Sequence, residues 1–160
     1  MIVVLQRVSS ASVTVAAENY RAEIARGLLI LLGVEKGDTA AEIAWGAEKC
    51  ANLRIFEDAQ EKMNLSVKDV SGATLVVSQF TLAGDCSRGR RPGFDKAAPP
   101  DLAKPLYEAF CEQLEQTHGV PVKRGIFRAA MQVALVNEGP VTFILRKAPG
   151  EPGTEAASPA

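Results

Sequence analysis

The stretch Gly27-Leu-Leu-Ile-Leu-Leu-Gly-Val34 narrows the fold more than any other part of this chain. Its apolar run is unbroken, so it has no polar face to give to water. It is far shorter than the ~20 residues a membrane helix needs. A short apolar run bounded by glycines reads as a central strand buried on both sides. The other elements must be arranged around it. Residues 2–8 and 12–16 are rich in valine and read as strands, with Ser9-Ser10 between them. Tyr20 to Ile24 is a weaker strand. Over residues 39–53 the period changes: Ile43, Ala47, Cys50 and Leu53 recur every three or four positions, behind Asp38 and Thr39 as caps, which predicts a helix. Ala73 to Phe80 is another strand, with Leu75-Val76-Val77 deep in the core. A second helix places Leu102, Leu106, Phe110 and Leu114 on one face, with Pro105 near its start and Gly119 as its stop. Residues 120–124, 130–136 and 141–146 close the pattern as strands. Two helices are too few to cover both faces of a parallel sheet. The expected fold is therefore α+β: a mainly antiparallel, curved, barrel-like sheet with two main helices in a single domain.

The 160 residues suit one domain, assigned to 1–147, followed by a Pro/Gly/Ala/Ser/Glu-rich tail, 148–160, that reads as disordered. Net charge is −1, and the tail holds two acids and no base, so the domain sits near neutrality. This balance neither demands nor excludes a nucleic-acid partner, because a local basic patch is enough. One such patch exists. Residues 84–100 form a long irregular loop with Arg88, Arg90, Arg91 and Lys96. Cys50, Cys86 and Cys111 are widely spaced and form neither a zinc pair nor a disulfide framework, which points to a reducing cytosol. The N-terminus lacks signal-peptide features, and no membrane association is expected.

Familiar catalytic equipment is absent. His118, the lone histidine, sits beside Gly119 at a helix end, where the helix dipole favours it as a surface residue. No nucleophile elbow, zinc-protease helix or phosphate loop occurs. An enzyme of this composition must work through backbone groups, a hydroxyl, or the substrate's own chemistry. Two segments qualify. Ser78-Gln79-Phe80-Thr81-Leu82 ends an apolar strand. It is either a strand with hydroxyls facing water or a strand end whose N–H groups hold an oxyanion. Asn137-Glu138-Gly139-Pro140-Val141-Thr142 is either a turn between the last two strands or a rigid backbone tool. Gly-Pro bonds adopt the cis form at low cost, and glycine admits close approach of a ligand.

With these segments in place, the chain resembles the bacterial-type D-aminoacyl-tRNA deacylase family over residues 1–147. The resemblance is carried by Met1–Ser9, Gly27–Asp38, Asn52–Asp58, Lys62–Leu65, Ser78–Leu82, Gly89–Pro92 and Asn137–Thr142, all in order. It implies a homodimer with active sites at the subunit interface. Each site would be built on Ser78, Gln79, Phe80 and Thr81 of one subunit. Gly139 and Pro140 of the other, joined by a cis bond and oriented by Arg7, would exclude L-aminoacyl esters. Met131, Asn137, Val141 and Thr142 would contact substrate, and Arg88, Arg90 and Arg91 would contact tRNA phosphates. Glycyl-tRNA, including mischarged alanine tRNA, would also be cleaved. The chemistry would be RNA-assisted, the 2′-hydroxyl of the terminal adenosine taking part, with the Phe80 N–H as oxyanion donor and no metal or organic cofactor. Two residues depart from the family pattern. Glu138 stands where aspartate is commoner, and Arg128 stands where a small residue is usual.

Two other readings remain open. Thr81 could act as a protein nucleophile on the same substrate, although no base lies near it in sequence. The chain could instead be a non-catalytic nucleic-acid-binding module that has kept the fold.

Overall fold

In a computed structural model that describes residues 1–151, the apolar run forms the central strand β3 (Gly27–Gly33). Strand β1 (Ile2–Val15) pairs antiparallel with one edge of β3, and β6 (Ala73–Ser78) pairs parallel with the other. Both faces of β3 are covered. Leu28, Ile30 and Leu32 pack under the helices, while Leu29 joins Val8, Val13, Leu75 and Val77 on the opposite side. Gly27 is required where β3 crosses β6, because a Cβ there would lie 1.8 Å from the Ala73 carbonyl oxygen.

The remaining strands extend this frame. β2 (Tyr20–Ile24) continues along the same edge of β1 beyond β3, and β8 (Gln132–Arg146) covers the other edge of β1. β7 (Val122–Arg124) adds parallel to β6. The Tyr20 hydroxyl donates to the Arg124 carbonyl at 2.7 Å, tying β2 to β7 and curling the sheet nearly closed. A small ribbon of β4 (Phe56–Glu57) and β5 (Met63–Leu65) stands apart. The architecture is the expected α+β, barrel-like sheet with two helices. Three pairings are antiparallel and two parallel.

Helix α1 (Ala40–Asn52) begins at a complete capping box. Thr39 Oγ1 accepts from the Ala41 N–H, and the Glu42 carboxylate accepts from the Thr39 N–H at 2.8 Å and its hydroxyl at 2.6 Å. The Thr39 bond, the largest influence, holds the Glu42 carboxyl down at about 2. Helix α2 (Pro100–Glu112) runs into a π-helical turn, Gln113–Thr117. Its buried face is Ala103, Tyr107, Phe110, Cys111 and Leu114; of the expected series Phe110 and Leu114 are in the core and Leu106 packs partly against it, but Leu102 is 60% exposed. A strict spacing of four drifts about 40° per step around a helix of 3.6 residues per turn, so it leaves the core face within two steps. Pro105 lies in the second turn, on the exposed side, where the missing N–H removes one bond without breaking the helix.

Three strand boundaries differ from expectation. Ser9-Ser10 do not interrupt β1, because a bulge against β8 absorbs the irregularity. The strands expected at 130–136 and 141–146 are not two: a single strand, β8, starts at Gln132 and runs through to Arg146. β6 ends at Ser78 rather than Phe80. The tail assigned to disorder, 148–160, lies mostly outside the described residues. Among the described residues no helix is long and apolar enough to cross a membrane.

Candidate active site

At the end of β6 the chain leaves the sheet and winds into a 3₁₀ turn, Phe80–Ala83. The Gln79 N–H still donates to the Leu32 carbonyl at 2.8 Å, but the first bond of the turn runs from the Leu82 N–H to the Gln79 carbonyl. The N–H groups of Phe80 and Thr81 lie ahead of that bond. A helical turn leaves its leading donors unpaired, and among the described residues these two have no acceptor.

These donors stand at the edge of a cleft of about 640 Å³. Ser78, Gln79 and Phe80 form one wall. Tyr107 of α2, Phe127, Met131 and Phe94 from the long loop form much of the rest. Phe80 is 57% exposed and meets Phe94 edge-on at a ring distance of 5.0 Å. The titratable groups among the lining residues are Tyr107 and Arg128. The Tyr107 hydroxyl lies 2.9 Å from the Val76 carbonyl and 3.2 Å from that of Gly125, and burial drives its pKa well above the ordinary phenol value. It is a structural group rather than a proton shuttle at neutral pH. Thr81 is exposed beside the cleft, and its hydroxyl accepts from the Gln79 side-chain amide. An amide cannot activate a hydroxyl as a base can. His118 caps the π-helical turn, away from the cleft-lining residues, and burial lowers its pKa.

Arg88, Arg90 and Arg91 are exposed at the tip of a loop. Asp85 and Gly93 pinch its base by exchanging backbone hydrogen bonds of 2.8 and 2.9 Å. Phe94 follows directly and packs on Phe80, so the basic tip is anchored at the cleft rim.

The second segment is built around an arginine. Val8 of β1 faces Asn137, and Gln6 faces Thr142, so residues 138–141 of β8 bulge out opposite Arg7 alone. The Arg7 side chain is 4% exposed. It donates from Nε to the Glu138 carbonyl at 3.1 Å, from Nη1 to the Ile55 carbonyl at 2.7 Å, and from Nη2 to Glu57 Oε1 at 3.2 Å. Asn137 closes the bulge from inside: its Oδ1 accepts from the Val141 N–H at 2.9 Å, and its amide reaches Thr142 Oγ1 at 3.3 Å. Glu138 Oε2 is buried without a hydrogen bond, 3.9 Å from the guanidinium groups of both Arg7 and Arg26. Gly139 holds φ at +124°, the Gly139–Pro140 bond is cis, and both residues are exposed.

Two groups of predicted site residues therefore emerge. Ser78, Gln79, Phe80 and Met131 share the cleft, with Thr81 at its edge. Arg7, Asn137, Gly139, Pro140, Val141 and Thr142 share the bulge, and none of them lines that cleft. β8 does reach the cleft at Val133, near its start, but the bulge lies further along the same strand. Beside the bulge, β8 exposes Leu135, Val136, Phe143 and Ile144. Sequence reasoning missed Phe94, Tyr107 and Phe127 as cleft walls. They come from three separate segments, and none carries a local signal of its own.

A family model described as D-Tyr-tRNA(Tyr) deacylase matches residues 4–146. The chain belongs to this family. A D-aminoacyl-tRNA deacylase of Geobacter sulfurreducens is 61% identical over 142 residues, covering 89% of this chain and 92% of that protein. A second, from Thermodesulfovibrio yellowstonii, is 56% identical over 145 residues, covering 91% and 98%. A solved structure described as the c-Myc DNA unwinding element binding protein aligns with a TM-score of 0.86 at 41% identity, covering 92% and 99%. Membership of the deacylase family makes the chain a hydrolase of that type. The Gly139 bulge of this deacylase lies outside the cleft that its unpaired N–H groups edge.

Proposed function

We propose that the chain edits aminoacyl-tRNA by cleaving the ester of D-aminoacyl-tRNA to free tRNA and D-amino acid, and that it also accepts glycyl-tRNA, including mischarged alanine tRNA. The observation that carries the mechanism is the pair of unpaired N–H groups, Phe80 and Thr81, at a cleft without a working acid or base. Such a site can position an ester and stabilise its oxyanion but cannot move protons by itself. The 2′-hydroxyl of the terminal adenosine supplies the missing group. Ser78 and Gln79 hold the ester beside the Phe80 N–H.

Chirality comes from rejection rather than attraction. The carbonyls of Gly139 and Pro140 fill the space an L side chain would need, while a D side chain is directed away and glycine offers nothing to reject. Arg7 fixes the bulge, and Met131, Asn137, Val141 and Thr142 contact the substrate. Because the bulge and the cleft do not meet within one chain, the gate over each cleft comes from a second copy. The exposed apolar side chains of β8 on either side of the bulge, Val136 and Ile144 foremost, mark the surface this copy would cover. The Arg88, Arg90 and Arg91 tip would hold tRNA phosphates at the rim, a contact that positions without reading sequence. The reaction belongs in the cytoplasm, where charged tRNA is found.

The decisive comparison is hydrolysis of D-Tyr-tRNA and L-Tyr-tRNA, with a D-Tyr-tRNA ending in 2′-deoxyadenosine as a third substrate. Cleavage of the D ester alone, near inertness of the deoxy substrate and substantial activity of Thr81→Ala are expected. A dead Thr81→Ala variant with a covalent acyl-enzyme would establish the threonine nucleophile instead. Hydrolysis of no substrate would leave a nucleic-acid-binding module.

A further inference from the structure

Arg128 is the only charged side chain among the described residues that line the cleft. Its side chain is exposed at the cleft, and no carboxylate or carbonyl among the described residues holds its guanidinium. Its backbone lies at φ +65°, in the left-handed region that favours glycine. A cation without a partner, beside apolar walls and on a backbone it disfavours, contributes nothing evident to the fold. Its attraction is available to a ligand. The same cleft carries the Phe80 N–H at its lip, and Phe80 and Phe94 offer aromatic faces to a base.

We propose that Arg128 is a positioning residue that binds a phosphate of the substrate's terminal nucleotide, setting the register of the ester against the Phe80 N–H. This rests on the reading of the cleft as the site for the aminoacylated 3′ end. The donor is a guanidinium and the acceptor a phosphodiester, a charge-assisted pair that can be bidentate. The contact sits on the 5′ side of the nucleotide whose 3′-oxygen bears the reacting ester. It therefore adds affinity and register without taking part in bond breaking.

The test uses three D-tyrosyl esters of increasing size: 3′-O-tyrosyl adenosine, the same ester carrying a 5′-phosphate, and D-Tyr-tRNA. The variants are Arg128→Gly and Arg128→Lys in the full-length protein. Glycine relieves the left-handed backbone, so Arg128→Gly should melt no lower than the parent, and an activity loss cannot then be ascribed to unfolding. On the phosphate-bearing substrates Arg128→Gly should raise KM about tenfold, with kcat changed less. On tyrosyl adenosine it should change neither. The slope of log kcat/KM against log salt should fall by about 0.7, as expected for one lost single-strand phosphate contact, and Arg128→Lys should restore most of it. AMP should inhibit the parent more tightly than Arg128→Gly. An equal effect of Arg128→Gly on adenosine and phosphate-bearing esters would overturn the proposal, as would an unchanged salt slope or a rise in activity on removing the side chain. AMP inhibition that depends on Arg128, with no effect of the substrate's own phosphate, would assign the residue to a free nucleotide and overturn it too. A parent protein inert on every ester would instead strike at the deacylase reading of the cleft.

Discussion

Replacing Gly139 by alanine is the sharpest perturbation the bulge allows. At φ +124° an L side chain is strained whatever the space around it, at a cost of about 1–3 kcal/mol. The space is also occupied: the new Cβ would lie 2.8 Å from Val141 Cγ2 and 2.9 Å from Arg7 Nη2. Val141 is buried and can yield little. Arg7 is buried as well, and its other bonds to the Ile55 and Glu138 carbonyls would have to lengthen if it moved. Gly139→Ala should therefore lower stability by about 1–3 kcal/mol in urea denaturation, and it should displace the Glu138–Pro140 carbonyls. If those carbonyls exclude L substrates, the ratio of kcat/KM for D-Tyr-tRNA over L-Tyr-tRNA should drop at least tenfold, about 1.4 kcal/mol of discrimination. Activity on the D substrate should change less, because the donors that hold its ester, in the Phe80–Ala83 turn, are separate from the bulge and keep their geometry. A variant destabilised as predicted but retaining its full D-over-L ratio would refute the assignment of chirality to this bulge. An unchanged stability would refute the packing argument itself.

Two other outcomes follow from the structure. Glu42 titrates at about 2 in the folded chain against an ordinary 4.5, so its stabilising effect is complete above pH 4.5 and is lost as the pH falls through about 2. Glu42→Gln should cost about 1 kcal/mol at neutral pH through the weakened cap and should flatten the acid limb of the melting temperature measured against pH. Ile144 is 61% exposed on β8; if a second copy covers it as proposed, Ile144→Glu should fold normally by circular dichroism and sediment as a monomer while the parent sediments as a dimer. A variant that sediments with the parent would show that this face is not the subunit contact.

Some of this molecule is legible locally and some is not. The β3 run declared its burial because no polar residue interrupts it, and α1 declared its start through Thr39 and its face through Ile43, Ala47 and Cys50. On α2 the expected series holds at Phe110 and Leu114 but fails at Leu102, which is apolar yet sits off the stripe that holds Tyr107 and Cys111. A hydrophobic pattern records what can be buried, not what is. Ser9-Ser10 and Gly139-Pro140 both looked like strand ends. Each lies within a long strand because pairing on either side outlasts a local irregularity, which shows only once the partner strand is known. The Ser78–Thr81 and Asn137–Thr142 segments were found from sequence. The aromatic walls of the cleft were not, since Phe94, Tyr107 and Phe127 meet only through tertiary packing.

The bulge opposite Arg7 also limits how this segment can evolve. Four residues of β8 answer one of β1, and the pairing from Thr142 to Arg146 is counted from that excess. Removing or adding one residue between 138 and 141 would invert the alternation of everything that follows. Phe143 would exchange faces with Thr142 and Ile144 with Leu145, turning the exposed Ile144 side chain toward the core. Position 138 admits substitution, since its main-chain carbonyl, not its side chain, meets Arg7 Nε at bonding distance, whereas Gly139 does not. The segment is thus constrained in length as well as at Gly139, and a gap of one residue in this stretch would mark a relative whose strand beyond the bulge presents the opposite face.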